Sequence, residues 1–245
     1  MKKIDGVRKP RHGWPVLLAL AVTFCVALVP SVVAADAVPY QKPVFDTNGK
    51  LTGTKADAAT AYTVVSANST AWGTLGATTW YIVNSDVTVS GRITVTGDVH
   101  LVLADGATLT AEEGITVRVY EDGRKNNLTV YGQALGTGAL VATSAYDSQA
   151  GIGGINETAG ATITINGGVV TATGGENSAG IGGGNHGEGG VITINGGTVT
   201  AESCSGAGIG GGAFGAGGTI AVNGGAVTAT AQSRRNANTG AGIGG

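Results

Sequence analysis

The chain has few charges, few aromatic rings and little cysteine. Of its 245 residues, 12% are charged, 5% are aromatic and two are cysteines, whereas 45 are glycines. A glycine-rich, charge-poor chain could be disordered, but disordered segments are also poor in β-branched residues. Here Ile, Val and Thr recur at regular positions. The sequence also lacks a strict Gly-X-Y period, which excludes a collagen triple helix.

Cysteine usage limits how the fold can be stabilised. Cys25 lies in an N-terminal apolar run, so only Cys204 remains if that run is removed. No intrachain disulfide can then form, although many small exported domains depend on disulfides. We expect backbone hydrogen bonding and stacked apolar side chains to hold the fold instead, with Cys204 an inert small residue.

Residues 1–35 have the pattern of a secretory signal peptide. Five basic residues precede the apolar run Trp14–Val29, Pro30 ends that run, and small residues follow it. This order predicts cleavage after Ala35 or Ala37. The alternative is an uncleaved anchor helix, but the run is shorter than the ~20 residues that span a bilayer. We therefore expect a secreted or cell-wall-attached protein that contacts membrane only through this segment before cleavage.

Removing the signal segment makes the chain acidic. The first 35 residues hold five of the 14 Lys and Arg residues and one of the 16 acidic residues, which leaves a balance of −6. An acidic exported chain is a poor match for nucleic acid or anionic lipid. We therefore expect no nucleic-acid partner.

The chain after the signal segment has no convincing helical periodicity. Short β-branched segments alternate with turn residues from Trp80 onward, which predicts an all-β fold. The predicted strands before the repeats are 80–83, 87–89, 92–95, 99–103, 108–110, 115–120, 128–131 and 139–142.

The C-terminal part is a repeat. Ala150-Gly-Ile-Gly-Gly returns at Ala179, Ala207 and Ala241, and Ile165-Asn-Gly-Gly returns at Ile194 and, with Val in place of Ile, at Val222. The first two steps are 29 and 28 residues for both motifs, as in a structural repeat. The last step is longer, which predicts an insertion at Gln232–Thr239.

Within each repeat, apolar and small polar residues alternate as in strands with one buried face. We predict three short strands per coil of 28–29 residues, with successive coils stacked in a β-solenoid. The rows expected to stack are Asn166, Asn195 and Asn223 at a corner, and Ile152, Ile181 and Ile209 inside.

Four regions follow from these patterns. Residues 1–35 are the signal peptide, and 36–79 are a leader or linker with the start of an N-terminal cap. A short strand is expected near 62–65 and a loop containing Trp72 at 68–77. Residues 80–149 form N-terminal coils, and 150–245 form glycine-rich coils that stop in mid-repeat. We therefore expect the chain to be a piece of a longer protein.

Several motifs together resemble a known family. They are Trp80-Tyr-Ile-Val, the segment Arg92–Leu109, Leu128-Thr-Val-Tyr-Gly-Gln, Gly136-Thr-Gly-Ala-Leu and the two repeated motifs. Residues 80–245 resemble the glycine-rich β-helix repeat proteins of bacterial cell surfaces, which are often called adhesin-like or carbohydrate-binding-domain-containing. The resemblance implies a right-handed parallel β-helix on a secreted or wall-attached protein, and it brings no catalytic residues.

The chemistry of the residues favours a non-enzymatic protein. Glycosidases need a pair of carboxylates, and the acids of the repeats do not recur in register. The alternative is a glycan-acting β-helix enzyme, a polysaccharide lyase or glycoside hydrolase, or its scaffold. Its candidate acids are Asp98, Asp105, Glu112 and Glu113, which also suit turns and solvated surface. We expect no cofactor and no metal, since His186 and Glu188 offer two ligands in a loop that the other repeats do not share.

Aromatic residues give the candidate ligand contacts. Trp72, Trp80 and Tyr81 could stack on sugar rings, or they could pack as the N-terminal cap. The expected partners are glycans or other host or cell-surface ligands. The repeat rows themselves are scaffold, so we expect recognition at segments that vary between repeats, which are Glu176–Ser178, Asn185–Glu188, Ser203–Ser205 and Gln232–Thr239.

Overall fold

A computed structural model describes residues 36–232 and 240–245 of the chain. This part of the protein is built from strands and turns and contains no helix, so the all-β prediction is confirmed. No helix among these residues has the length and apolar character needed to cross a membrane. The predicted signal peptide and most of the predicted insertion lie outside the described residues.

The strands are short and numerous. In chain order they are β1 (Val38–Phe45), β2 (Leu51–Ala59), β3 (Thr63–Val64), β4 (Ala71–Trp72), β5 (Thr78–Val83), β6 (Val87–Val89), β7 (Ile93–Val95), β8 (Asp98–Leu103), β9 (Thr108–Ala111), β10 (Ile115–Thr116), β11 (Asn127–Gly132), β12 (Ala139–Thr143), β13 (Ile152–Gly153), β14 (Thr162–Ile165), β15 (Val169–Thr173), β16 (Ile181–Gly182), β17 (Val191–Ile194), β18 (Thr198–Ser203), β19 (Ile209–Gly210), β20 (Thr219–Val222), β21 (Ala226–Ala231) and β22 (Ile243–Gly244).

Three parallel sheets run the length of the stack. Sheet 1 has the order β3-β5-β8-β11-β14-β17-β20, sheet 2 has β6-β9-β12-β15-β18-β21, and sheet 3 has β4-β7-β10-β13-β16-β19-β22. From β5 onward the chain visits sheets 1, 2 and 3 in turn, and each strand pairs with its equivalent in the next coil. This arrangement is a parallel β-helix with three short strands per coil, as predicted.

Coil length is regular only in the repeats. Asn166 and Asn195 are 29 residues apart, and Asn195 and Asn223 are 28 apart. In contrast, 20 residues separate Thr78 from its partner Asp98 on sheet 1. The core therefore tolerates coils of different length, because the extra residues form loops at the corners while the strand register is kept.

The predicted interior rows are present. Ile152, Ile181 and Ile209 are buried and pair in register along sheet 3. The alternation within strands also holds: Ile163 and Ile165 are buried while Thr164 between them is partly exposed. Stacking like side chains on like keeps the core closely packed as coils are added.

Glycine is required where the coils approach most closely. Gly182 has φ +135°, a conformation that L side chains rarely adopt, and an added Cβ would lie 2.0 Å from the carbonyl oxygen of Gly210. The same relation holds between Gly153 and Gly182. This explains the invariant second glycine of the Ala-Gly-Ile-Gly-Gly motif.

The parallel β-helix begins earlier in the chain than predicted. β3 and β4 pair with β5 and β7, so a first coil precedes residue 80. The two-residue strand Ala71–Trp72 lies inside the segment expected to be a loop. In contrast, the predicted strand 115–120 ends at Thr116, and only isolated bridges at Arg118 and Val119 continue it. Two-residue strands in Ser-, Thr- and Gly-rich sequence carry too little pattern to be recognised.

Residues 38–59 form a β-hairpin where a leader or linker was expected. β1 and β2 pair antiparallel through the turn that contains Asn48-Gly49. The side-chain amide of Gln133 donates to the carbonyl of Pro39 at 2.9 Å, which ties β1 to the β-helix. At the other end, an added Cβ on Gly224 would lie 2.9 Å from Leu51 Cδ2. The hairpin therefore contacts early and late coils alike. A strand was not expected here because Pro39 and Pro43 lie in it and proline is depleted in strands.

Candidate functional site

Two of the three candidate sugar-stacking residues lie inside the β-helix. Trp72 is 1% exposed. Its ring stacks on Tyr81 at 5.2 Å between centroids, and the Tyr81 hydroxyl accepts a hydrogen bond from the Gly73 amide at 2.8 Å. These contacts close the first coils from within. Trp72 and Tyr81 therefore pack as a cap, the alternative that the sequence left open, and Trp72 offers no surface to a ligand.

Trp80 points outward but is partly covered by the hairpin. Its ring lies 4.9 Å from Tyr40 on β1, 4.4 Å from His100 and 5.6 Å from Tyr131. Tyr40 is 5% exposed, and Ile82 and Val102 pack beneath it. This cluster docks the hairpin onto sheet 1. The sequence pattern could not show this, because Tyr40 and Tyr131 are far from Trp80 along the chain.

A chain of polar contacts borders the aromatic cluster. Asp98 Oδ2 is 3.2 Å from His100 Nε2, and His100 Nδ1 is 3.1 Å from the Tyr131 hydroxyl. Burial raises the pKa of Tyr131 to about 12, with smaller contributions from neighbouring negative groups. Tyr131 is therefore a neutral hydrogen-bonding phenol at physiological pH.

The four candidate catalytic acids do not share one site. Asp98 begins β8, whereas Asp105 lies at the next corner, where its carboxylate accepts the amides of Leu135 and Thr137. Glu112 and Glu113 follow β9, and Glu113 accepts the amide of Arg92 at 3.2 Å. Asp105 and Glu113 thus stabilise corners. Across residues 36–232 and 240–245, no three His, Cys, Asp or Glu side chains are grouped as metal ligands would be.

Arg92 replaces the small residue that later coils have before the inward Ile of sheet 3. Its guanidinium donates to Thr116 Oγ1 at 2.7 Å, to the carbonyl of Ala150 at 2.8 Å, and to the carbonyl of Glu113. Burial lowers the pKa of Arg92 to about 10, opposed by the attraction of Glu113. Arg92 remains a cation and joins three coils.

Two of the variable segments are structural in part. Ser203 donates to the carbonyl of Ser178 at 2.6 Å, and Ser178 donates to the carbonyl of Asp147 at 3.0 Å. Both serines are buried. These hydroxyl contacts join successive coils at the corner between sheets 2 and 3.

The segment Asn185–Glu188 belongs to an exposed row of loop residues. Glu157, His186 and Phe214 each lie four residues after the glycine that ends a sheet 3 strand, and their φ angles are +58°, +59° and +64°. Non-glycine residues seldom adopt positive φ, and where they do the strain is often linked to function. The His186 and Phe214 rings stack at 5.1 Å with 17° between planes, and Phe214 is 80% exposed.

A groove of about 360 Å³ lies at the same corner, between sheets 3 and 1. One wall comes from the excursion after β10, with Val119 and Lys125, and another comes from Glu188 and the exposed Val191. The groove is also lined by Thr162 and Thr219, which are partners of Val191 on sheet 1. Glu188 lies two residues beyond His186. The loop row and the groove thus share the loop 183–190, and we call the two together the loop-edge surface.

The loop-edge surface combines three kinds of contact. The His186–Phe214 stack is a flat aromatic platform, Lys125 and Glu188 supply one charge of each sign, and the threonines supply hydroxyls. In the sequence, the variation at Asn185–Glu188 is the one sign of this surface, because the motifs around the loops are otherwise repeated.

Comparison with known proteins agrees with the architecture. A family model described as "Beta helix repeat" matches residues 163–185 and 192–213. No curated protein and no solved structure matches the chain. The two matched segments each run from a sheet 1 strand through a sheet 2 strand into sheet 3 and the loop that follows it. Over these two segments the chain is therefore similar to β-helix repeat proteins, in agreement with the observed parallel β-helix.

Proposed function

We propose that this chain is a non-enzymatic, exported bacterial surface protein whose β-helix is a rigid scaffold for binding glycans at the loop-edge surface. The observation that carries the proposal is the exposed His186–Phe214 stack. The face of an aromatic ring carries partial negative charge, which complements the partly positive C–H groups on the face of a sugar ring. An 80% exposed Phe has no role in the core.

The groove beside the stack supports the same ligand class. Hydroxyl groups of a glycan can exchange hydrogen bonds with Thr162, Thr219 and the Glu188 carboxylate, and apolar ring faces can pack on Val191. Ligand sites usually combine such apolar lining with a few placed polar groups. The rigid coil stack holds these groups at fixed spacing, which lowers the entropy lost on binding.

Export rests on residues 1–35. Their basic start, apolar run and small residues are typical of a signal peptide. N-terminal sequencing of the chain recovered outside the cell should give Asp36 or Val38 as first residue. Recovery with Met1 in place would exclude cleavage.

Glycan binding can be tested with the full chain on a broad glycan array, followed by calorimetry with any ligand found. Phe214→Ala should weaken binding by about three- to ten-fold, the range expected for one aromatic contact. Leu135→Ala is the matched control, because Leu135 is 78% exposed but lies at a different corner. Binding to no glycan, or equal effects of the two variants, would overturn the proposal.

The glycan-acting enzyme is the second candidate, and one observation favours it. The Asp98–His100–Tyr131 contacts lie beside Trp80 and join a carboxylate, an imidazole and a phenol. Release of reducing ends or unsaturated products from polysaccharides, abolished by Asp98→Ala, would support it. Such a result would replace the binding proposal.

A further inference from the structure

The outer edge of β2 is an unpaired strand edge. β1 and β2 form a sheet of two strands, and the β2 side chains from Thr52 to Ala58 are exposed. Among the described residues, no third strand pairs with this sheet. An isolated two-stranded hairpin is only marginally stable, and an open edge is a template for a further strand.

The backbone groups that face this edge can be identified. Ala58 is paired with Pro39, which has no N–H and so cannot form a mutually hydrogen-bonded pair, and the Ala58 amide donates to Asp57 Oδ1 at 2.9 Å. Hydrogen-bonding direction alternates along an antiparallel strand. Thr54, Ala56 and Ala58 therefore direct their N–H and C=O groups outward.

The opposite edge of the hairpin is less suited to strand addition. Pro39 and Pro43 on β1 are the cross-strand partners of Ala58 and Thr54. Proline has no N–H, and the Pro39 carbonyl already accepts a hydrogen bond from Gln133. The β1 edge thus lacks the donors at positions 39 and 43 and keeps only that of Gln41 between them, which makes β2 the better pairing edge.

Charge on β2 selects one partner and one register. Residues whose backbone N–H and C=O groups point outward must pair with the equivalent residues of the other copy. This restricts an antiparallel pair of β2 strands to a few registers. A register with its two-fold axis at Lys55, or one with its axis at Asp57, places like charges opposite each other, which is destabilising. Centring on Ala56 places Lys55 of each copy opposite Asp57 of the partner subunit.

Within one hairpin, two lysines compete for one carboxylate, and this register supplies a second carboxylate. Lys42 is directly opposite Lys55 in the β1–β2 pairing. Asp57 lies 3.8 Å from the Lys42 ammonium, so two cations share one carboxylate. A second Asp57, brought opposite Lys55, gives each lysine a carboxylate.

We propose that two copies of this chain associate through β2, antiparallel and centred on Ala56, in a four-stranded sheet β1-β2-β2-β1. The arrangement is a two-fold, self-complementary interface, the commonest kind in homodimers. Since one strand pair buries little area, the dimer is weak and salt-sensitive. Each dimer would place two β-helices, and so two loop-edge surfaces, on one particle.

A disulfide test reads the register directly. In a full chain with Cys25 and Cys204 changed to serine, Lys55→Cys and Asp57→Cys are made separately. The proposed register puts residues 55 and 57 in a non-hydrogen-bonded pair with Cα atoms ~4.5 Å apart, within disulfide range. An oxidised mixture of the two variants should give a disulfide dimer, and each variant alone should not.

Charge reversal tests the same pair without cysteine. Lys55→Asp and Asp57→Lys should each dissociate the dimer in sedimentation velocity, and the chain that carries both changes should associate again. Lys50→Asp, in the hairpin turn, is the control and should leave association unchanged. A chain that stays monomeric with no mixed disulfide, or a disulfide formed by Lys55→Cys alone, would overturn the proposal.

Discussion

The side-chain amide of Asn195 donates to the side-chain oxygen of Asn166 at 2.8 Å, one coil away in the stack. Asn223 makes the same contact to Asn195, also at 2.8 Å. Asn166 and Asn195 are buried, at 6% and 7% exposure. The ladder therefore satisfies polar groups that solvent reaches poorly, and it joins three coils at one corner.

Removing the middle of this ladder should destabilise the protein. Asn195→Ala leaves a buried acceptor on Asn166 and a donor on Asn223 without their partner, which costs about 1–3 kcal/mol. Asn185→Ala is the control, because its 3.3 Å contact to Asn156 lies on the exposed loop row. Urea unfolding should show a lower free energy of unfolding for Asn195→Ala alone, and equal losses in both variants would contradict the ladder's role.

Glycine substitutions should separate steric from conformational cost. Gly182 and Gly106 both have positive φ, but an added Cβ meets the Gly210 carbonyl at Gly182 and open space at Gly106. Gly106→Ala should cost about 1–2 kcal/mol, the price of the left-handed conformation for an L residue. Gly182→Ala should cost more than this or prevent folding. Thermal unfolding followed by circular dichroism measures both, and similar melting temperatures would show that the coils can move apart.

The buried cap should tolerate a change of ring better than its loss. Trp72 is 1% exposed, and its indole nitrogen has no hydrogen-bond partner. Trp72→Ala should cost about 3–5 kcal/mol through the cavity it leaves. Trp72→Phe should cost much less, because it keeps the stack on Tyr81 and removes an unsatisfied donor. A Phe variant as unstable as the Ala variant would show that the indole packs in a way no smaller ring can replace.

Stability at alkaline pH should depend on Tyr131. An unfolded tyrosine titrates near ~10, whereas burial raises the pKa of Tyr131 to about 12. The folded state keeps the proton longer, so this contribution is complete below the unfolded pKa and is lost as pH rises through that window. The free energy of unfolding should fall less steeply there for Tyr131→Phe than for the unmodified chain. Equal slopes of unfolding free energy against pH in the two chains would mean that another group, for example Tyr40, causes the alkaline loss of stability.

The repeated motifs by themselves determined the β-helix. A strand needs only alternating inward residues, and a coil needs only glycines at its corners, so local sequence at a fixed period specified both. The same period also predicted that Asn166 lies beside Asn195 and Ile152 beside Ile181. Where the period is absent, as at Ala71–Trp72 and in the hairpin 38–59, the sequence pattern did not predict the strands.

The tertiary structure decided which residues reach solvent and which distant residues meet. Sequence treated Trp72, Trp80 and Tyr81 alike, yet one is buried, one is covered by Tyr40 and one closes the interior. The reason is physical: side chains on one strand alternate between core and surface, and only the packed coils show what covers each face. For the same reason the His186–Phe214 stack and the β2 edge became visible only in three dimensions, since each depends on chain segments that the sequence keeps apart.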